Sequence, residues 1–532
     1  MRSICIYFQV HQPYRLRTFR FFNIGLDHHY YDDYQNRHII RRIAEKSYLP
    51  ANKLMLDLIR EYGSGFKVSF SISGTALDQF EQYVPEVIQS FKELAATGNV
   101  EFIAETYAHS LASLGSKEEF TRQVDMHRNK IESLFGKRPV TFRNSELIYS
   151  DGIGEMVAEM GFHTMLTEGA KHILGWKSPN FLYCNKVNPK LKLLLRNFRL
   201  SDDLTFRFSD HDWSEWPLTT DKFVGWLNAF KGNEEVVNLF LDYETIGEHQ
   251  WKETGIFDFF RHLPAKVFSG SNFGFFTPEE LYQTLQTVAA ISVPYPISWA
   301  DEERDLTAWR GNELQDEAFE KLYSYEEKVR KCNDKAILRD WNYLQTSNHF
   351  YYMCTKWFSA GEVHKYFNPY GSPYDAFINY MNVLSDFMIR VDQCSDFGAM
   401  IPEIGEAAVQ PVDKTRKIRS GTKKELATQK KRSLLKKKQP KEKMHDDKEP
   451  VSFEEMFVKL PDKRIKELIK KLEIESLFYA LSGTGPEVLA KAEKNMGVKN
   501  LRKYRDLVRE NPDLKLRNIS KYRNIIMKEI NK

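Results

Sequence analysis

A chain of 532 residues exceeds the size at which one hydrophobic core keeps growing, so two or three domains are expected. With 42% hydrophobic and 28% charged residues and no run of ~18 apolar residues, the composition is that of a soluble globular protein and excludes a helical membrane protein. The net charge of +4 conceals one basic stretch: residues 414–443 hold fourteen Lys and Arg against two acids, a surplus of twelve that leaves the rest of the chain eight charges negative, which excludes a globally basic nucleic-acid binder.

Residues 1–10 are apolar but run directly into His11-Gln12-Pro13 with no small-residue cleavage site, so they read as a first strand rather than a secretory signal. From there to about residue 300, apolar runs alternate with helical patterns, the signature of βα units and a parallel sheet. The predicted strands are 3–10, 66–73, 100–105, 140–146, 163–168, 192–199 and 236–244. Amphipathic helices are expected over 50–62 and 85–96, the second stopping near Gly98. Polar residues at the C-terminal ends of about seven strands fit a barrel, and an open doubly wound sheet is the alternative that periodicity leaves standing. Residues 302–405 read as mostly helical and packed beside the sheet. Segment 406–451 lacks the apolar content to offset chain ordering and reads as a basic disordered linker, a plain tether rather than a nucleic-acid reader. Helical periodicity returns over 452–532. Five scattered cysteines without a CxxC pair give no disulfide framework, so a reducing, cytoplasmic setting is expected.

Three places carry candidate chemistry. His11-Gln12-Pro13 ends the first strand. Glu146 follows the strand that ends in Thr141-Phe142-Arg143-Asn144-Ser145. Asp242, Glu244, Glu248 and His249 lie where the apolar run Asn238-Leu239-Phe240-Leu241 breaks into acids. If the strand continues, Asp242 and Glu244 point to one face. Carboxylates on two strands suit a glycosidase, structural ion pairs with Arg143 or Arg199, or metal binding, and spacing does not choose among them.

Five ordered segments are more specific: His11-Gln12-Pro13, Gly74-Thr75-Ala76-Leu77-Asp78-Gln79, Arg143-Asn144-Ser145-Glu146-Leu147, Leu241-Asp242-Tyr243-Glu244, and Ser298-Trp299 with Asp305 and Trp309. In order and spacing they resemble the motifs of glycoside hydrolase family 57, over roughly residues 1–395. The resemblance implies an α/β fold, an incomplete seven-stranded (β/α) barrel over 1–301 followed by a helical bundle. It implies Glu146 as nucleophile and Asp242 as general acid/base, with His11, Asp78, Glu244 and Asp305 lining the sugar site. His109 would then bond a sugar hydroxyl and Arg207 would orient a nearby acid, or each is satisfied by a structural partner. Trp299 and Trp309, like Trp213 and Trp216, are stacking platforms or core. The chain departs from the usual third motif, which has tryptophan and a small or apolar residue where Arg143-Asn144-Ser145 stand.

The activity expected from this resemblance is retaining hydrolysis of α-1,4-glucans or maltooligosaccharides, α-amylase-like, needing no metal or cofactor, with Asp242 held protonated by burial and by Glu146. A 4-α-glucanotransferase or branching enzyme on the same scaffold is the alternative. A metal-dependent polysaccharide deacetylase and a non-catalytic glucan binder are the outside readings. No nucleic-acid or membrane partner is expected. The all-α stretch 452–532 bears a similarity to helical modules of the flagellar motor switch protein and is the place for a protein partner.

Overall fold

The computed structural model describes residues 1–356 and 368–399 and, toward the C-terminus, 459–471, 486–497 and 500–504 together with Phe457, Leu477 and Leu481. The expected linker lies outside the described residues. The chain divides into two compact units, Met1–Ala408 and Val409–Lys532.

The first unit is an α/β fold with ten strands among its described residues: β1 (Arg2–Val10), β2 (Val68–Ile72), β3 (Val100–Phe102), β4 (Thr141–Arg143), β5 (Thr164–Glu168), β6 (Tyr183–Asn185), β7 (Lys192–Arg196), β8 (Val236–Asp242), β9 (Phe273–Phe275) and β10 (Ala289–Ile291). One five-stranded sheet runs β3-β2-β1-β8 with β9 also on β1, and the other runs β10-β6-β7-β5-β4. Only the β6–β7 pair is antiparallel among them. A single parallel bridge from Ala104 to Phe142 links the end of β3 to β4. On the other side, the Asn197 amide donates to Asn238 in β8 at 2.9 Å.

Strict alternation along the strands sorts side chains into layers. On β1, Ile4, Ile6, Phe8 and Val10 enter a core shared with surrounding helices, while Cys5 and Tyr7 join Ile103, Leu166, Leu194 and Phe240 in a second core. Both faces are thus buried, which is why β1 reads as an unbroken apolar run. Following the second face to the strand ends turns it polar: Gln9, Glu105, Arg143, Glu168, Arg196 and Asp242 all continue it by steps of two. The register sets Gln9 opposite Asp242. A rim of charge above a small apolar plug is therefore written into the period of two.

Three helices, Glu313–Tyr323, Lys335–Leu344 and Pro373–Ala399, share a third core with Phe142, Met165 and Leu193 from the sheet. Helix Pro85–Ala96 has the predicted bounds, and Leu49–Tyr62 begins one residue early. Five strands end short of their predicted limits: β2 at Ile72, β3 at Phe102, β4 at Arg143, β7 at Arg196 and β8 at Asp242. Residues 145–147 form a turn instead of extending β4, 198–202 are helical, and β8 stops at Asp242. Strands β6, β9 and β10, three residues each, carry too short a pattern to be read from sequence.

In the second unit, helices Asp462–Lys471 and Pro486–Asn495 contribute buried Ile465, Leu468, Val488 and Ala492. Asp462 accepts from Asn495 at 3.2 Å and pairs with Lys494 at 3.0 Å.

Candidate active site

The rim residues of β1, β4 and β8 open into one cavity. Its walls are Gln9, His11, Gln12, Pro13, Arg15, His109, Glu146, Asp242, Glu244, His249, Trp299, Asn348 and Tyr352. Among the residues singled out in the sequence, His11, Gln12, His109, Glu146, Asp242, Glu244, His249 and Trp299 meet there.

Glu146 sits one turn past β4 with φ 57° and ψ 24°, and Leu147 follows at φ 52°. Two consecutive left-handed non-glycine residues cost backbone energy, a pattern that concentrates at functional sites. The turn aims the carboxylate across the strand ends, where it is 7% exposed, so only one edge is open. Oε2 accepts from the Trp299 indole at 2.8 Å, and Oε1 accepts from the Ser347 hydroxyl at 2.9 Å. His109 Nε2 lies 3.4 Å from Oε1.

His109 is itself left-handed, at φ 51°, and buried. Its Nδ1 meets Glu105 Oε2 at 2.7 Å, so the imidazole lies between two carboxylates. Burial would lower its pKa, but hydrogen bonds and charge from Glu105 and Glu146 outweigh it and raise the pKa. Burial pushes Glu105 up in turn, yet His109 with help from His127 and Arg143 brings it down to about 2. His11 behaves oppositely. Burial and the charge of His109, whose ring stacks on it at 4.1 Å, hold it well below the usual histidine range. His11 meets Asn348 Oδ1 through Nε2 and the Ser73 hydroxyl through Nδ1, each at 2.8 Å. The two stacked rings are thus pushed in opposite directions, His109 up and His11 down.

Past Asp242 the chain turns into the helical turn Tyr243–Thr245, so Glu244 reaches the cavity by that turn and not along a shared strand face. Its Oε1 accepts from Gln12 Nε2 at 3.2 Å and from the Tyr48 hydroxyl. Burial and the neighbouring Asp242 raise its carboxyl to about 8, against the pull of those two donors. Gln12, the centre of the first tripeptide, also accepts from buried Arg15 at 3.0 Å.

The other predicted residues lie outside this wall. Asp78 accepts from the hydroxyls of Tyr107 at 2.7 Å and Tyr343 at 2.9 Å, on a short side chain that ends in that tyrosine cluster. Arg207 pairs with Asp203 at 2.6 Å, one helical turn away, and lines a separate pocket with Trp213. The Asp305 carboxylate caps the next helix through Thr307 N at 2.9 Å. Trp309 is fully buried in the core shared with the C-terminal helices, and Trp216 is 40% exposed beside His211. The hydrogen-bond partners that sequence reasoning missed include Tyr48, Ser73, Ser347 and Asn348, and it gave Glu105 no role of its own. The spacing of Glu105 four residues before His109 was a readable signal. Ser347 and Asn348 sit in a helical stretch whose pattern speaks only of packing.

Among the described residues no group of three or more His, Cys, Asp or Glu is arranged to hold a metal ion, and no helix is long and apolar enough to cross a membrane.

Residues 5–294 match the family described as Glycosyl hydrolase family 57. A Methanocaldococcus jannaschii protein named "Putative alpha-amylase" is 42% identical over 392 residues, covering 71% of this chain and 83% of that protein. Among solved structures, a GH57-type branching enzyme from Pyrococcus horikoshii superposes with TM-score 0.53 at 15% identity, over 75% of this chain and 96% of that one. A GH57 branching enzyme from Thermococcus kodakaraensis gives TM-score 0.50 at 14% identity, over 66% and 86%. At these identities the two structures speak for the fold. Residues 434–532 match the FliG C-terminal domain.

Proposed function

The chain belongs to glycosyl hydrolase family 57, and from that membership we propose that it cleaves α-1,4-glucans with retention, through Glu146 as nucleophile and Asp242 as general acid/base. The observation that carries this reading is the setting of Glu146: a carboxylate at a strand end, fixed by Trp299, Ser347 and His109, opening into a cavity that also holds Asp242. A nucleophile must stay ionised and aimed, and two donors with the adjoining His109 ring favour both. Asp242, on the facing strand end, protonates the departing glycosidic oxygen as Glu146 attacks the anomeric carbon, then takes a proton from the water that releases the sugar. Glu244 and His11 line the same pocket as sugar contacts. Asp78 and Asp305 act one layer back, through Tyr107, Tyr343 and the Thr307 helix start.

The same reading treats the parallel strands β1 to β5, β7 and β8 as an incomplete barrel spanning 1–301, with a bundle at 302–405, a tether at 406–451 and a helical module at 452–532. It takes the setting as cytoplasmic, and 452–532 as the region for a protein partner. The name of the M. jannaschii relative supports α-amylase-like hydrolysis. The deacetylase alternative needs histidine lone pairs, and here His109 is engaged by two carboxylates and His11 by Ser73 and Asn348.

The test is wild type beside Glu146→Gln on a maltooligosaccharide series, reading reducing ends and chain lengths. New reducing ends in wild type, reduced by at least about a thousandfold in the variant, are expected for a lost nucleophile. Redistribution of chain length without new ends means transfer, and untouched oligosaccharides with wild type refute the α-1,4-glucan assignment.

A further inference from the structure

We propose that Arg143 is a positioning residue for Glu146 that acts through Trp299. The proposal rests on Glu146 being the nucleophile. Arg143 ends β4, three residues before Glu146, on the inward face of the sheet, and it is completely buried. None of its three guanidinium nitrogens has a hydrogen-bond acceptor among the described residues. Its Cζ lies instead 4.9 Å from the centroid of the Trp299 ring, and the Trp299 indole N–H donates to Glu146 at 2.8 Å.

A buried guanidinium without hydrogen bonds opposes folding, so its retention calls for a return elsewhere. Cation and ring face attract through the ring quadrupole, and that attraction fixes the indole plane. A cation on the ring also draws electron density from the indole and sharpens its N–H as a donor, which tightens the bond to a carboxylate. Arg196 lies near the same ring at 5.8 Å, but it is occupied by the Phe240 carbonyl at 2.9 Å, by Glu168 at 3.3 Å and by Asp202 at 2.6 Å. Trp299 is also held from its backbone side: its amide donates to the Glu146 carbonyl at 3.2 Å, and Arg304 donates to the Trp299 carbonyl. Arg143 is the group left to orient the ring itself.

The charged and titratable groups around Glu146 include His109 and His11 from the loops after β3 and β1, Arg15 from the loop beyond His11, Asp242, Glu244 and His249 from the end of β8 and the turn after it, Tyr351 and Tyr352 from the helical part, and Arg143 from its own strand. Only Arg143 and Trp299 are altered in the test, so the others are constant across the series.

The experiment is a double-mutant cycle of Arg143→Met and Trp299→Phe, with kcat/KM against pH on one maltooligosaccharide and the melting temperature of each variant. The phenylalanine keeps a ring for the cation and removes the N–H. Arg143→Met is expected to lower kcat/KM about tenfold and to move the acid limb to higher pH, with no loss of melting temperature. In the Trp299→Phe background the same change is expected to cost less than about twofold, because the route it acts through is gone. Losses that multiply, or a melting temperature that falls in step with activity, would overturn the proposal. Arg143→Lys keeps a cation at the ring and is expected to hold the acid limb at its wild-type position even if the methionine variant is insoluble. A lysine variant with a displaced limb would also overturn it. Glu146→Gln is run alongside: full activity there removes the premise, whereas a dead Glu146→Gln with an unaltered Arg143→Met removes this inference alone.

Discussion

Glu244 accepts hydrogen bonds from Tyr48 and Gln12 and stands two residues from Asp242, and burial together with that neighbouring charge lifts its carboxyl to about 8. An unfolded glutamate titrates near ~4.3, so between the two values the folded chain binds a proton that the unfolded chain releases. The contribution of this group to stability is fully present below the unfolded value and is lost as pH rises through the folded one. Glu244→Gln keeps an acceptor for Tyr48 and Gln12 but carries no charge at any pH. The melting temperature of the variant is therefore expected to gain on wild type steadily from pH ~5 to ~8 and to match it at pH ~4. Thermal unfolding followed at four pH values checks this, and a constant difference across the range would mean that Glu244 is ionised throughout. The opposite behaviour belongs to Glu105, which His109 holds ionised down to about 2. One cavity thus shifts its two glutamates in opposite directions: His109 outweighs burial at Glu105, and burial with Asp242 outweighs the donors at Glu244.

The segment after β8 shows how local backbone sets these partners. Gly247 has φ 107°, a conformation L side chains rarely adopt, and a Cβ there would lie 2.1 Å from the Lys46 carbonyl oxygen. The approach brings the loop against the π-helical stretch Ala44–Tyr48, whose last residue donates to Glu244. Gly247→Ala must push that stretch away or twist the loop, and is expected to cost about 2–4 kcal/mol in denaturant unfolding together with most of the activity. Gly152→Ala, at a helical position with open space around it, serves as the control and is expected to be neutral. If the two variants unfold alike, the close approach has no consequence. Sequence reading went as far as the period of two allowed. It found the strand bearing Asp242 because an apolar run breaks there into acids, and it found Glu146 as the residue past β4. It extended both strands too far: left-handed residues Glu146 and Leu147 end β4, the helical turn Tyr243–Thr245 ends β8, and neither turn leaves a mark on residues that elsewhere are ordinary. It had no purchase on Ser347 and Asn348, which reach the cavity only because a helical segment about 200 residues downstream packs over the strand ends.

At the scale of the whole chain, the three cores of the first unit are built from residues between Ile4 and Val391. The second unit has buried residues of its own, among them Ile465, Leu468 and Val488, and its own polar clasp from Asp462 to Lys494 and Asn495. Cavity walls and their hydrogen-bond partners run from Tyr7 to Tyr352, all within the first unit. Buried apolar surface supplies most of the free energy that offsets chain ordering, and every such contribution around the cavity is present once residue 408 has been made. A chain ended after Ala408 is therefore expected to unfold in one transition at the temperature of the first transition of the full chain, and to keep its kcat/KM on short maltooligosaccharides within about twofold. Calorimetry and reducing-end kinetics on the two chains decide the matter. A folded truncated chain whose kcat/KM falls about tenfold would mean that the C-terminal unit takes part in catalysis, and an insoluble one that the first unit depends on it for folding. An unchanged one would assign it to a task separate from the reaction.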